Sequence, residues 1–149
     1  MVITDNHSHY GSGRVTAPRR AIARAADGLR RAFTVEDLIA EVRATNPGIG
    51  TATVYRAVAA MEANGALARV GMRDDSTLYV RCAIEGHHHH LVCTGCGAVT
   101  HARCPLGDDT PRHAGADGFT VTGHELTLYG VCSRCAEDTA TNAPSPRKD

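Results

Sequence analysis

Apolar side chains recur every three or four residues in three successive stretches of the first half of the chain, the spacing of one buried face of an α-helix. The first predicted helix follows Thr16, a favourable N-cap, and stops at Gly28. The second opens at Thr34, where a Thr-x-x-Asp sequence approximates a capping box. The third begins at Thr51 and ends at Asn64. The apolar positions that define these faces are Ala21, Ile22, Ala25, Val35, Leu38, Ile39, Val42, Val54, Val58 and Met61.

Two strand-like runs, Leu67–Val70 and Thr77–Val80, follow the helices and are separated by a short polar turn. Three helices and a hairpin are typical of a winged helix-turn-helix domain, whose third helix enters the major groove of DNA by its N-terminal end. Arg56 of that helix can fork to a guanine or to a phosphate. The alternative is an ordinary exposed helix face. The candidate DNA-binding residues are Thr51, Thr53, Tyr55, Arg56, Arg19 and Arg73.

Charged residues are distributed unevenly between the two halves of the chain. Residues 1–81 carry 11 Arg against 8 acidic residues, whereas residues 82–149 carry 5 basic and 8 acidic residues. This asymmetry suits a front half that approaches phosphate and a rear half that binds cations, and it also fits an ordinary solvated surface. No apolar run approaches the roughly 20 residues of a membrane span. The N-terminus has no signal-peptide core, so we expect a cytoplasmic protein that does not contact the membrane.

Four of the six cysteines form two Cys-x-x-Cys pairs, Cys93 with Cys96 and Cys132 with Cys135. In the cytoplasm such pairs are more often metal ligands than disulfides. Four thiolates satisfy a closed, tetrahedral zinc site, which predicts a structural ion rather than a catalytic one. A disulfide or a redox pair is the alternative.

Four consecutive histidines run directly into the strand-like segment that ends at Cys93. Because side chains alternate across a strand, His88 and His90 would share one face, and His87 and His89 the other. One strand can therefore serve two metal sites. A surface histidine tract or the remnant of a tag is the alternative.

Three segments resemble the ferric uptake regulator (Fur) family. TATVYRAV at 51–58 is similar to its recognition helix, and HHHHLVCTGCGAV at 87–99 and GHELTLYGVCSRC at 123–135 follow in the family's order. The resemblance covers roughly residues 14–136. It implies a dimeric, metal-responsive winged-helix repressor that binds an inverted-repeat DNA operator.

The resulting fold class is α+β. We predict an N-terminal winged helix-turn-helix domain over residues 1–81, a hinge over residues 82–86, and a small zinc-stapled α/β dimerisation domain over residues 87–136. Residues 1–14 and 137–149 lack apolar periodicity and are expected to be flexible.

The first regulatory site is predicted to combine Cys82 with His88 and His90. A metal held between the hinge and the rear domain would fix the angle between the two domains. A thiolate ligand favours zinc over iron or manganese. The resemblance to the family points the same way, because the family's zinc sensors have Cys near position 82, where the family's iron sensors usually have Glu. Those zinc sensors usually add an acidic ligand where this chain has Ala68. Either Asp74, Asp75 or a water replaces that ligand, or the site is three-coordinate. A buried structural thiol is the alternative for Cys82.

The second regulatory site would use His87, His89 and His124. The family places a carboxylate between the two cysteine pairs, and Asp108 is the nearest match, with Asp109 as a further candidate.

The stretch between the cysteine pairs departs from the family, most of whose members carry a helix there. Prolines and glycines in residues 103–118 preclude a long helix and predict a loop or one short turn. His101, Cys104 and His113 lie in or near this loop, and we expect them to be ordinary loop residues, with Cys104 left open as a reactive or additional metal-binding thiol.

These features favour a zinc-dependent transcriptional repressor of metal-uptake genes that holds structural and regulatory Zn²⁺. The alternative within the family is an iron- or peroxide-responsive regulator that uses Fe²⁺ or Mn²⁺. A zinc enzyme would need an open zinc position and a general base, and the sequence carries neither a His-Glu-x-x-His string nor the deaminase signature. A metal carrier would not need the DNA-binding half.

Overall fold

The computed structural model describes residues 7–82, 87–105 and 118–141. The chain divides into two compact units, Met1–His87 and His88–Asp149. The predicted hinge at 82–86 falls at this division, although residues 83–86 lie outside the described residues. Within the described ranges, no helix has both the length and the apolar character needed to cross a membrane.

The first unit contains the three predicted helices, which are confirmed as α2 (Ala17–Gly28), α3 (Val35–Thr45) and α4 (Thr51–Ala63). Their ends follow local chemistry. The hydroxyl of Thr16 accepts a hydrogen bond from the backbone of Arg19 and begins α2. The helix faces predicted from the periodicity pack together. Among the described residues, the largest fully buried side chains are Phe33, Ile22, Leu38, Met61, Val42 and Val54.

A complete capping box begins α3. The Thr34 backbone N–H donates to Asp37 Oδ2 at 2.9 Å, and the Asp37 backbone N–H donates to Thr34 Oγ1 at 3.2 Å. Two donors that the first turn of a helix would otherwise leave unpaired are thus satisfied.

Replacing Thr34 with alanine is therefore expected to destabilise the first unit by about 1 kcal/mol. Urea unfolding followed by far-ultraviolet circular dichroism measures the change. Thr45→Ala, at the exposed end of the same helix, is the matched control and should shift stability by less than about 0.5 kcal/mol. Equal shifts for the two variants would mean that the capping box contributes nothing.

Residues 7–10 differ from the flexible tail expected over residues 1–14, of which residues 1–6 lie outside the described ones. A short helix, α1 (His7–Tyr10), precedes α2, and Tyr10 is only 3% exposed. The Tyr10 hydroxyl donates to the backbone carbonyl of Arg19 at 2.9 Å, and burial raises the pKa of Tyr10 to about 12. His9 Nε2 lies 2.9 Å from Asp27 Oδ1. Two anchoring side chains hold this segment, and a periodicity argument does not detect anchors of that kind.

The predicted hairpin consists of β1 (Leu67–Arg73) and β2 (Ser76–Arg81), which pair antiparallel. Both strands extend beyond the predicted runs because the turn is tight. Asp74 and Asp75 alone connect the strands, with φ of 48° and 64°, the backbone of a two-residue hairpin loop. Phe33 and Tyr79 exchange two backbone hydrogen bonds of 2.9 and 2.8 Å, which attach the hairpin to the segment before α3.

The second unit contains a three-stranded sheet in the order β4-β3-β5, formed by β3 (His89–Cys93), β4 (Val99–Ala102) and β5 (Thr127–Gly130). Strand β3 pairs antiparallel with β4 and parallel with β5. Strand β4 was not predicted, because four residues carry too little alternation to be recognised. The sheet sets the positions of His89, His90, Cys93 and His101.

A helix, α5 (Ser133–Thr141), follows β5. The expectation that residues 137–149 are disordered is therefore wrong for residues 137–141, and residues 142–149 lie outside the described ones. Of the predicted loop at 103–118, the structure describes residues 103–105 and 118. Asp108, Asp109 and His113 lie outside that description.

Candidate metal centres and DNA-binding surface

The four paired cysteines come together in the second unit. Cys93 ends β3 and Cys96 lies in the turn that follows it, while Cys132 and Cys135 flank the start of α5. Their sulfur atoms lie within 4.8 Å of one another. The Thr94 backbone N–H donates to the carbonyl of Gly130 at 2.8 Å, which ties the first cysteine turn to the strand that leads to the second.

The spacing of these sulfurs matches a zinc ion. Four Zn–S bonds of about 2.3 Å in a tetrahedron would separate the sulfurs by about 3.8 Å, and the Sγ atoms of Cys96 and Cys132 lie 3.8 Å apart. Gly95 also leaves room for the sulfurs, since a Cβ there would lie 3.1 Å from Cys135 Sγ, a tighter contact than Cβ atoms usually make. The donor set, its spacing and its turn therefore fit structural zinc.

The quartet is electrostatically suited to a cation. The backbone N–H groups of Cys132 and Cys96 lower the pKa of the Cys93 thiol to about 6. In contrast, the sulfurs of Cys132 and Cys96 raise the pKa of Cys135 to about 12. Because four neighbouring thiolates repel one another, a divalent ion at their centre allows all four to ionise.

Three histidines share one face of the sheet in the second unit. His88 and His90 are two residues apart on the chain, with ring centroids 5.1 Å apart. His101 is the direct cross-strand partner of His90, and its ring centroid lies 5.1 Å from that of His88. Burial and the neighbouring imidazoles lower the pKa of His90 to about 4, so at neutral pH this ring is uncharged and can donate a lone pair to a metal.

Cys82, the third predicted ligand of that site, belongs to the first unit. It directly follows β2 and is half-buried. Its backbone N–H donates to the carbonyl of Ala66 at 2.9 Å. Burial raises the pKa of its thiol, so deprotonation at neutral pH requires a nearby cation.

The suggestion that Asp74 or Asp75 replaces the acidic ligand missing at Ala68 is wrong for ligands of the same chain. Both aspartates form the turn at one end of the hairpin, and Cys82 follows the other end. At about 3.3 Å per residue, the length of β2 separates them by roughly 20 Å.

The opposite face of the sheet in the second unit carries His89, His124 and Cys104. His89 Nε2 lies 3.1 Å from His124 Nε2, and Cys104 Sγ lies 3.2 Å from the same nitrogen of His124. His124 lies three residues before the first residue of β5. His87 is exposed and is the last residue of the first unit, so its part in this site remains a prediction, as does that of Asp108.

The N-terminal part of α4 presents an exposed surface in the first unit. Thr51, Tyr55 and Arg56 are exposed, and Thr53 is partly buried. The Tyr55 hydroxyl donates to Glu36 Oε1 at 2.7 Å, which fixes the ring. Arg56 Nη2 donates to Thr53 Oγ1 at 3.3 Å, one helical turn back. Thr51, Tyr55 and Arg56 therefore face solvent where a winged helix-turn-helix meets DNA.

The two other predicted DNA contacts already have partners within the first unit. The guanidinium of Arg19 donates to the carbonyl of Arg14 at 2.9 Å and lies over the ring of Tyr10. Arg73 forms an ion pair with Asp37. Arg43 was not among the candidates, yet its Nη2 donates to Thr51 Oγ1 at 3.0 Å and places a further cation beside the N-terminus of α4.

From the sequence, His101 and Cys104 were expected to be ordinary loop residues, whereas the structure makes both of them metal-binding candidates. His101 lies in β4, and Cys104 follows that strand by two residues. Recognising β4 and its register against β3 would have identified both. No local pattern supplied that register.

Residues 11–129 match the profile of the Ferric uptake regulator family. The ferric uptake regulation protein of Bacillus subtilis is 32% identical over 131 residues, which cover 85% of this chain and 88% of that protein.

Solved structures have a similar arrangement. A zinc-bound manganese uptake regulator is 34% identical, with a TM-score of 0.54 over 80% of this chain and 91% of that one. A zinc uptake regulator complexed with zinc and DNA is 24% identical and has the same fold, with a TM-score of 0.69 over 87% of this chain and 88% of that one.

Proposed function

The chain belongs to the ferric uptake regulator family of metal-responsive transcriptional regulators, and we propose that it is a zinc-responsive repressor of metal-uptake genes. On this proposal it binds an inverted-repeat operator as a homodimer when zinc is present. Members of the family are regulators and not enzymes. The observation that carries the choice of zinc is the sulfur content of the predicted sites.

The choice of zinc rests on the sulfur donor atoms of this chain and not on similarity to named regulators. The similar proteins are described as regulators of iron, manganese or zinc uptake, so similarity leaves the metal open. Four thiolates at the structural site and one more at Cys82 are soft donors, which select zinc over Fe²⁺ and Mn²⁺.

We propose that Cys82, His88 and His90 bind the sensing ion. Cys82 lies in the first unit, whereas both histidines lie in the second. When bound, zinc would supply a single attachment point for ligands from both units. This attachment would restrict the orientation of α4 and so set the spacing of two recognition helices in a dimer, which must match two half-sites on DNA.

The deciding experiment is a metal titration of DNA binding combined with elemental analysis of the purified protein. A duplex selected from random sequence by the zinc-loaded protein serves as probe. We expect buffered free Zn²⁺ to restore binding to protein stripped of its regulatory metal. If Fe²⁺ or Mn²⁺ restores binding at lower free concentration, the iron- or manganese-responsive alternative replaces this proposal.

Arg56→Ala is expected to weaken binding of that duplex by about 5- to 150-fold, because one bidentate arginine contact contributes about 1–3 kcal/mol. Fluorescence anisotropy at fixed salt and saturating zinc measures the loss. Zinc content should not change, since Arg56 lies in the other unit from the cysteine quartet.

Arg69→Ala is the matched control for this substitution. Arg69 pairs with Glu62, which lies about 16 Å along α4 from its N-terminus. Its loss should leave affinity almost unchanged. Undiminished affinity in Arg56→Ala would remove this residue from the DNA interface.

A further inference from the structure

His89, Cys104 and His124 form a cluster of three potential metal ligands on one face of the sheet in the second unit. We propose that Cys104 is a ligand of the second regulatory metal, so that this site contains a thiolate. The inference rests on the proposed function, because it assumes that a regulatory ion binds at this face. It changes the predicted donor set, which contained only histidines and a carboxylate.

The distances suit a shared ion. Around a tetrahedral Zn²⁺, two imidazole nitrogens lie about 3.3 Å apart, and a nitrogen and a sulfur lie about 3.6 Å apart. The separations in this cluster are 3.1 Å between His89 and His124 and 3.2 Å between Cys104 and His124. They differ from the expected values by only a few tenths of an ångström, and all three ligand atoms lie within 4.8 Å of one another.

The sheet explains why Cys104 reaches this face. His89 pairs with Ala102 across β3 and β4, and cross-strand partners project to the same side. Cys104 follows Ala102 by two residues, which returns its side chain to that side. His124 joins them from the chain that enters β5, the parallel neighbour of β3.

Burial also favours coordination. His89 is 2% exposed, and Cys104 and His124 are half-buried. A cation bound there would lie beside a buried imidazole, where its hydration is partly replaced by protein ligands. On binding, the Cys104 S–H bond breaks, its proton passes to solvent, and a metal–sulfur bond forms.

A thiolate at this position changes which ion the site accepts. A donor set of two imidazoles and a sulfur suits Zn²⁺, and also Co²⁺ as its spectroscopic substitute. A set of histidines and a carboxylate would accept Mn²⁺ or Fe²⁺ more readily. The second site would therefore respond to the same metal as the first.

Cobalt titration tests the assignment in the full-length chain. The background is Cys82→Ser with zinc retained in the cysteine quartet, so that Cys104 is the only cysteine outside the filled site. Adding Co²⁺ should produce thiolate-to-cobalt charge-transfer absorption in the near ultraviolet. Adding Cys104→Ser should abolish this band and weaken cobalt binding by at least about 100-fold, since even loss of a second-shell partner costs 10- to 100-fold.

The outcomes separate this inference from the proposed function. Cobalt that binds with ligand-field bands but no charge-transfer band would overturn the role of Cys104 and leave a histidine–carboxylate site intact. If the charge-transfer band forms but DNA affinity does not change with added metal, Cys104 is a metal ligand and the repressor proposal is contradicted.

A measurement on the wild-type chain tests the same ligand without the risk that Cys104→Ser misfolds. Iodoacetamide labelling mapped by mass spectrometry should show Cys104 modified in protein that holds only quartet zinc. Added Zn²⁺ should protect it by at least about tenfold. Equal labelling with and without added Zn²⁺ would show that Cys104 is not a ligand.

Discussion

Cys96→Ser is expected to lose one zinc ion per chain and to unfold the second unit. Serine keeps the size of the side chain but supplies no thiolate, so the tetrahedral set is left with three ligands. Binding of structural zinc contributes on the order of 10 kcal/mol to the folding of small metal domains. That exceeds what the rest of this unit can supply.

The second unit has little core of its own. Among its described residues, Val92 and Cys93 are the only buried apolar side chains, whereas the first unit buries Phe33, Ile22, Leu38, Met61 and many others. The strands of its sheet are four or five residues long. A unit this small requires a staple in place of a large hydrophobic core, and the quartet joins the end of β3 to the start of α5.

Elemental analysis and amide hydrogen exchange measure the outcome of Cys96→Ser. We expect exchange protection to disappear from β3 and β5 and to persist in α2, α3 and α4. Cys104→Ser is the matched control for exchange protection, because it removes a thiol of the same unit and leaves the quartet complete. Zinc is counted after the regulatory metal has been removed from both variants, so that only quartet zinc is compared. A folded second unit with undiminished zinc in Cys96→Ser would show that the quartet is not the staple.

Features encoded by local pattern were predictable from the sequence. The starts of α2 and α3 follow from the N-cap residues Thr16 and Thr34. The apolar face of α4 follows from the helical spacing of its apolar residues. The spacing of Cys93 and Cys96 was enough to name them as candidate zinc ligands, because a Cys-x-x-Cys turn can place two sulfurs on one ion.

Features that depend on pairing between distant segments were not predictable. The position of His101 opposite His90 and that of Cys104 beside His124 both follow from the register of β4 against β3. A one-residue shift of that register would exchange the two faces. Four residues of strand carry no signal strong enough to fix it. The burial of Tyr10 likewise depends on a contact that no periodicity records.

Cys82→Ser is expected to abolish the dependence of DNA binding on zinc while both units remain folded. In the wild-type chain, a coupling free energy of about 1–3 kcal/mol would make zinc increase DNA affinity by about 5- to 150-fold. Serine removes the soft anionic ligand, so this ratio should fall toward one. Fluorescence anisotropy with and without buffered regulatory zinc gives the ratio directly, and the zinc of the quartet should be retained.

Cys82→Glu is the matched substitution that retains an anionic ligand. Because a carboxylate is a harder donor than a thiolate, we expect this variant to recover a response and to shift it toward Fe²⁺ or Mn²⁺. An unaltered zinc response in Cys82→Ser would show that Cys82 does not sense the metal. The thiol would then be a buried structural residue that follows β2, and the two units would require a different link between metal binding and the orientation of α4.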